Sequence, residues 1–315
     1  MQQEKQSSGA MAQNALAAVV FGRAHPYGHS MSGEIDDVKK ITRAELAKIH
    51  AAAFAPSRIA ITVCGDVTQG EIAPALEKTF GAAKAEPGAA AVRPVPKPAA
   101  PKKDAPRLSF VDRPNATQSQ IYVAEVGLPH STKDREAVWV MNAILGGTFS
   151  SRINMNLREK NAYTYGARSY FSMRHGPGPF AAGAAVHTDK TAPAIGEVFQ
   201  ELNALLSGGV SPSELEGAKD SIKLAMPARF ETTGDVTSAL TELFVYDLPA
   251  DDFEKRLARV DAVTEADVKR VAQAYLHPRT MRVIVVGDGA RVESSLETLH
   301  LGAPQKLDPY GNAVK

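Results

Sequence analysis

One arginine and two tyrosines near the middle of the chain form the most specific polar arrangement in the sequence. Arg158, Tyr163 and Tyr165 follow the stretch 146–151 (GGTFSS), in which a Gly-Gly turn leads into a short amphipathic segment. A guanidinium and a phenol both donate hydrogen bonds to a peptide carbonyl or a developing oxyanion, but neither group can start a hydrolysis. The pattern also fits a surface arginine paired with Glu159 and two tyrosines packed at a sheet edge.

The histidine spacings do not indicate a zinc site. None of the 8 histidines lies in H-x-x-E-H, H-E-x-x-H or H-x-H, the spacings that bring two imidazoles together around zinc. His25 and His29 come closest, in H-P-Y-G-H, but a Pro-Gly turn does not hold two side chains as adjacent helical turns do. We therefore expect no metal ligand and no catalytic residue in this chain.

Other catalytic and nucleotide-binding motifs are missing from the sequence as well. There is no G-x-S-x-G elbow, and the one cysteine, Cys64, has no partner for a disulfide within the chain. Neither 146–151 nor 174–180 (RHGPGPF) has the pattern of a phosphate-binding loop. We expect neither nucleophilic catalysis nor nucleotide binding.

Charge and hydropathy argue against two further classes of partner. The 36 basic and 35 acidic residues give a net charge of +1, and neither sign forms a long run. A basic footprint for nucleic acid or anionic lipid is therefore missing. No stretch approaches the ~18 consecutive apolar residues of a membrane helix, and residues 1–9 lack the apolar core of a signal peptide. We expect neither nucleic acid nor a membrane as partner.

The elements that position these residues belong to an internal repeat with an offset of 222 residues. Thr42 corresponds to Thr264, and each threonine is followed three residues later by an acid, which predicts a capping box at the start of an amphipathic helix. Each helix leads through a proline turn into an apolar run that ends in Gly-Asp. The runs 58–66 and 281–288 are predicted strands.

A proline-rich linker separates the two copies. Residues 85–106 contain six prolines and almost no large apolar side chain, which is typical of an extended connection. We therefore divide the chain into 1–84, the C-terminal part of a first domain, the linker 85–106, and 107–315, a complete second domain. If the copies are equivalent, roughly 115 residues that precede Met1 complete the first domain.

The second domain alternates predicted strands and helices. The strands are 108–112, 121–126 and 180–186, and the helices are 133–145, 195–206 and one that begins at the capping box 211–214. If the chain enters a strand near Ala162, Tyr163 and Tyr165 share one face of it. The predicted fold class is α/β (α+β), with two homologous domains, each a mainly antiparallel or mixed sheet with packed helices, the first incomplete.

Several motifs, taken in order, resemble those of a peptidase family. The run 145–166 (LGGTFSSRINMNLREKNAYTYG), the turn H-P-Y-G at 25–28 followed by I-T at 41–42, and C-G-D at 64–66 resemble the pitrilysin/insulinase zinc peptidases, the inverted H-x-x-E-H group. The resemblance covers nearly the whole chain. Within this family the chain resembles the zinc-free partner subunit of a bacterial two-subunit member, truncated at its N-terminus.

The resemblance implies a division of labour between two homologous subunits. In such pairs one subunit carries H-x-x-E-H and a distant glutamate, and the other contributes an arginine and a tyrosine that hold the peptide beside zinc. By resemblance, Arg158 and Tyr165 are that pair, and Tyr163 is the less favoured tyrosine. This chain departs from the pattern of the zinc-bearing subunit in two places. The distant glutamate would fall near Met1, where Glu4 is off the expected spacing. The helix 133–145, which corresponds to the family's zinc helix, has no histidine.

These features give one main hypothesis and two alternatives. The chain is expected to be the non-catalytic, substrate-holding subunit, with peptide as substrate and with zinc in a homologous partner or in the segment before Met1. It is alternatively a fragment of an active zinc protease whose H-x-x-E-H segment is missing, or a purely structural, chaperone-like subunit. The substrate is not readable from the sequence, and the resemblance alone favours a bacterial periplasmic location.

Overall fold

The chain forms two units in a computed structural model, which describes residues 6–54, 59–82, 95–99 and 105–314. The larger unit combines Met1–Glu34, Val95–Lys223 and Arg256–Lys315. The smaller unit combines Ile35–Pro94 with Leu224–Lys255. Residues that are distant in sequence therefore share a unit, and each unit is described by itself below.

The larger unit is built on one six-stranded mixed sheet. Its strands are β1 (Leu108–Asp112), β2 (Gln118–Val126), β3 (Thr164–Phe171), β4 (Pro179–His187), β5 (Arg282–Gly287) and β6 (Gln305–Leu307). Their spatial order is β3-β4-β2-β5-β1-β6. β1 is parallel to β5 and to β6, whereas the β2–β4, β2–β5 and β3–β4 pairs are antiparallel. β3 is thus an edge strand, and it carries the segment predicted to hold peptide.

The main hydrophobic core covers one face of this sheet. Apolar residues of β2, β4 and β5 pack there against four helices. These are α5 (Arg135–Asn142), α7 (Thr191–Gly208), α11 (Glu265–Tyr275) and α12 (Gly289–Leu296). Ile121, Phe180 and Val285 are completely buried in this layer, so it supplies most of the hydrophobic stabilisation of the unit.

One helix, α1 (Ser8–Phe21), covers part of the opposite face. The Ser7 hydroxyl accepts a hydrogen bond from the Ala10 amide at its start, and Gly22 ends it with a φ of 75°. Its small apolar side chains pack against β1, β2, β4 and β5. Gly311 lies beneath this helix in a left-handed conformation, with no space for a β-carbon next to Ala18. The sheet is therefore covered by helices on both faces.

The smaller unit contains helices but no strand among its described residues. It includes α2 (Ile35–Val38), α3 (Arg43–Ala53), α4 (Gln69–Phe80) and α9 (Thr233–Val245). Two further helices, α8 (Pro212–Ala225) and α10 (Asp252–Asp261), connect the chain segments of both units. Ile61 and Val63 line a groove beside Leu240 and Phe244 of α9.

The two copies of the repeat begin alike and are buried differently. Thr42 with Glu45 and Thr264 with Asp267 both form the predicted capping boxes. Six apolar positions are exposed in the first copy and at least 94% buried in the second. The pairs are Ile41 and Val263, Leu46 and Val268, Ile49 and Val271, Phe54 and Leu276, Ile61 and Val283, and Val63 and Val285.

The predicted strand 58–66 is wrong for its described part. Residues 59–64 have no strand assignment, whereas their counterparts in the second copy include β5. β5 pairs with β1 on one side and β2 on the other, and no described residue pairs with 59–64 in this way. An apolar run becomes a strand only when its backbone groups find partners.

The other predicted elements are confirmed with small shifts. β1 has the predicted bounds, and β2, β4 and α7 contain the predicted segments. The helix from 133 continues beyond Asn142 as a π-helical turn, Ala143–Gly147. Glu214 and Ser211 form the predicted capping box of α8. Most of the predicted linker 85–106 lies outside the described residues, and the boundaries 1–84 and 107–315 stay a prediction about homology. The α/β fold class with a mixed sheet is confirmed.

Candidate functional site

A close packing contact at Gly146 positions the segment 146–160. A β-carbon on Gly146 would lie 2.4 Å from the amide nitrogen of Ser169 in β3. Only glycine therefore permits the end of the π-helical turn to lie directly on the edge strand. The chain then forms a short helix, α6 (Arg152–Asn154), and a second π-helical turn, Met155–Lys160, which carries Arg158.

Two asparagines, at the ends of α5 and α6, hydrogen-bond to the outer edge of β3. The Asn142 amide donates to the Ser169 carbonyl at 3.1 Å, and the Asn154 side-chain oxygen accepts from the Ala167 amide at 3.0 Å. An unpaired edge strand normally offers these groups to another strand. The Ala167 amide and the Ser169 carbonyl on this edge are therefore already hydrogen-bonded.

A bidentate ion pair fixes α6 to the start of α8. Arg152 donates to both carboxylate oxygens of Glu214, at 2.6 and 2.9 Å, and to the Gly209 carbonyl at 2.9 Å. These charge-assisted bonds, with those from Ser211, lower the pKa of the Glu214 carboxyl to about 2. This ion pair supports the turn from which Arg158 extends.

The guanidinium of Arg158 lies between an aromatic ring and a carboxylate. It stands over the Phe149 ring, 4.7 Å from its centroid, and its Nε lies 3.1 Å from a Glu159 oxygen. Phe149 is 62% exposed, which is unusual for a large apolar side chain. The predicted surface pair of Arg158 with Glu159 is therefore present, and the ring contact restricts the guanidinium further.

The two tyrosines do not share a face. Ala162 has a φ of 52°, and the β3–β4 register shifts between Thr164 and Ala167. Tyr163 consequently packs against the main core, whereas Tyr165 is 84% exposed. The expectation of a shared face is wrong because a strand alternates regularly only after its pairing begins, and here pairing begins with a bulge.

Arg158 and Tyr165 line one shallow recess. Its volume is about 410 Å³, and Glu159, Ala162, Thr164 and His187 complete the lining. The structure thus brings together the arginine and the favoured tyrosine of the sequence prediction. The sequence pattern did not predict roles for Phe149, which contacts Arg158, or for His187, which lines the recess. An aromatic residue inside the motif was the available signal for Phe149. His187 gave no such signal, because only the pairing of β3 with β4 brings it to the recess.

The helix α5 is the second domain's equivalent of the helix on which the resemblance places the zinc motif, and it does not carry the histidines that such a motif needs. α5 carries Val138, Met141 and Asn142 on its inner turns and no histidine. Among the described residues, no group of three or more His, Cys, Asp or Glu side chains is arranged to hold a metal ion. His25 accepts the Tyr27 amide at Nδ1, and its Nε2 lies 2.9 Å from the Pro96 carbonyl oxygen, so it serves the turn.

Sequence comparison identifies the family. The profile of the peptidase M16 inactive domain matches residues 40–222, which is more than half of the chain. This chain belongs to the M16 peptidase family. It is 24% identical over 280 residues to an uncharacterized zinc protease of Mycobacterium tuberculosis, covering 87% of this chain and 62% of the relative. A protein of Bacillus subtilis named probable inactive metalloprotease is 23% identical over 251 residues, covering 79% and 56%.

Solved structures support the same assignment. A peptidase M16 inactive domain from Pseudomonas fluorescens superimposes with a TM-score of 0.81 at 25% identity, covering 91% of this chain and 67% of that one. A chain of complex III from Candida albicans has a TM-score of 0.72 at 15% identity over 91% and 68%, which shows a shared fold. The chain spans about six-tenths of the length of the curated relatives it matches. Among the described residues, none of the helices has the length and apolarity to cross a bilayer.

Proposed function

We propose that this M16 chain is the non-catalytic, substrate-holding subunit of a zinc endopeptidase and that it completes the site of a homologous, zinc-bearing partner. The observation that carries the proposal is the recess that Arg158 and Tyr165 line together, in a chain whose described residues include no cluster of three or more potential metal ligands. In this assignment the partner's zinc supplies the activated water, and this chain supplies hydrogen-bond donors.

The contacts of Arg158 suit this role. A guanidinium held by Phe149 and Glu159 loses less conformational freedom when a peptide carbonyl binds than a freely rotating one would. The Tyr165 hydroxyl extends into solvent from a strand that is fixed by its pairing with β4. Together the two side chains orient the peptide backbone or stabilise an oxyanion, and the loss of one such donor typically costs about 3 kcal/mol of transition-state energy.

Reconstitution of the pair tests this proposal. The chain is co-purified with a zinc-bearing homologue, and cleavage of a fluorogenic peptide is measured for wild type, Arg158→Ala and Tyr165→Phe. We expect kcat/KM to fall about 100-fold in Arg158→Ala and less in Tyr165→Phe, with zinc content of the partner unchanged. Lys269→Gln, an exposed change on α11, is the control. Unchanged turnover in both site variants would favour a purely structural subunit.

A second candidate is that this segment belongs to an active zinc protease whose H-x-x-E-H residues lie outside it. The observation that favours it is the set of six exposed apolar positions in the first repeat copy, whose counterparts in the second copy are buried. A further polypeptide of the same fold would cover them, from the same protein or another. If a longer protein containing this chain binds zinc and cleaves peptide alone, the second candidate replaces the first.

A further inference from the structure

In the part of the chain that the structure describes, one corner of the sheet carries exposed side chains on the face that α1 partly covers. Arg168 of β3 pairs with Gly183 of β4, and His187 of β4 pairs with Gln118 of β2. The positions between them on β4, Ala184 and Val186, face the main core. Since side chains alternate along a strand, Arg168 and His187 lie on the opposite, exposed face.

Tyr165 lies between these two residues. Tyr165 and Gly166 form the bulge opposite Ala185, which is two residues from both Gly183 and His187 along β4. Two residues of a strand span about 7 Å. Tyr165 also lines the recess that contains His187. Arg168 and His187 therefore flank the tyrosine on the two sides along the strand direction.

The charges around this corner are mainly positive. Two acids of neighbouring segments, Glu159 and Asp189, are paired with the adjacent bases Arg158 and Lys190 at 3.1 and 3.0 Å. Arg168 is exposed and has no ion-pair partner within the described part of the chain. A guanidinium and an imidazole N–H both donate hydrogen bonds to a carboxylate.

We propose that Arg168 and His187 are two further residues that contact the peptide. This surface selects peptides that carry a carboxylate side chain within two residues of the peptide group bound by Tyr165. This inference rests on the proposed function and adds a substrate class to it. The selected ligand is an extended acidic peptide, because its residue spacing matches that of β4. Opposite charges near the bound group raise both affinity and the rate of encounter.

The test compares two peptides that differ only in charge. Both are amidated alanine peptides of about ten residues that carry an N-terminal fluorescein and one internal phenylalanine, with either glutamate or glutamine two positions before and after the phenylalanine. Binding to the full chain is measured at pH 7 by fluorescence anisotropy for wild type, Arg168→Gln and His187→Gln. Lys269→Gln on α11 is the matched control, since it removes an exposed charge elsewhere.

We expect wild type to prefer the glutamate peptide, and we expect each variant at the corner to weaken its binding about threefold, which is the size of an exposed contact to a charged group. Binding of the glutamine peptide and the Lys269→Gln variant should stay as in wild type. Absent binding of both peptides, an unchanged preference in both corner variants, or an equal loss in Lys269→Gln would overturn the inference.

Peptide binding by Arg158→Ala and Tyr165→Phe distinguishes failure of this inference from failure of the proposed function. If Arg158→Ala and Tyr165→Phe weaken both peptides equally while the corner variants leave the preference unchanged, peptide holding stands and the acidic selectivity fails. If the corner variants abolish the preference while Arg158→Ala and Tyr165→Phe change nothing, the acidic selectivity stands and the proposed role of those two residues fails.

Discussion

Replacing Glu214 with glutamine should destabilise the larger unit in a way that depends on pH. The pKa of this carboxyl falls from 4.5 to about 2, chiefly through its bonds with Arg152. Each pKa unit corresponds to about 1.4 kcal/mol, so the full shift corresponds to roughly 3 kcal/mol of stability. The Glu214 side chain is 33% exposed, and solvent screening reduces this stabilisation to roughly 2 kcal/mol.

The sign of the pH dependence follows from the direction of the shift. Because the pKa is lower in the folded state, the stabilisation is complete above about pH 5 and is lost as the pH falls towards 2. By the same linkage, Glu214 accounts for a loss of roughly 1 kcal/mol of stability between pH 7 and pH 3. Glu214→Gln lacks this pH-dependent stabilisation and should be less stable than wild type by roughly 2 kcal/mol at pH 7.

Trp139 provides the assay, since it is the only tryptophan in the sequence and lies in the same unit as Arg152 and Glu214. Urea unfolding followed by its fluorescence gives the free energy of unfolding at pH 7 and pH 3. Glu216→Gln, an exposed change on the same helix, is the control. Equal free energies for wild type and Glu214→Gln at pH 7, or a difference that does not shrink at pH 3, would refute the reasoning.

Three further predictions concern packing around the site and between the repeat copies. Val285→Ala should lower the free energy of unfolding by about 2 kcal/mol, because Val285 is buried. The equivalent Val63→Ala, at a 41% exposed position, should leave urea unfolding followed by Trp139 fluorescence unchanged. Gly146→Ala should cost about 1–3 kcal/mol, because its β-carbon meets β3 backbone, and amide exchange of Ser169 should rise. Phe149→Leu should weaken peptide binding about threefold through the lost ring contact with Arg158, and Phe149→Tyr should restore it.

Local signals in the sequence predicted local structure well. Thr42 and Thr264 form capping boxes because the threonine and the acid three residues later interact within one turn, whatever lies around them. β1 and β5 were also predictable, since apolar runs bounded by turn residues become strands once partners exist. Arg158 and Tyr165 could be selected from the sequence because both lie in one continuous motif.

Features that depend on distant contacts were beyond the sequence pattern. The strand predicted for 58–66 does not form in its described part, although its apolar pattern resembles that of β5. The separation of Tyr163 from Tyr165 results from a bulge, which depends on pairing with β4. His187 lies 22 residues after Tyr165 in sequence, and only the return of the chain through β4 brings it into the recess.

The capped edge of β3 decides how a peptide can approach this site. A substrate that bound as an additional strand beside Ala167 and Ser169 would have to displace the side chains of Asn142 and Asn154, each of which makes a hydrogen bond there. Each displaced bond would cost about 1 kcal/mol before any new one formed. The open sheet face around Tyr165 requires no such displacement. A peptide held by this chain is therefore expected to lie on the face of the sheet and not to extend its edge. On that face, side chains rather than backbone groups determine which peptide binds.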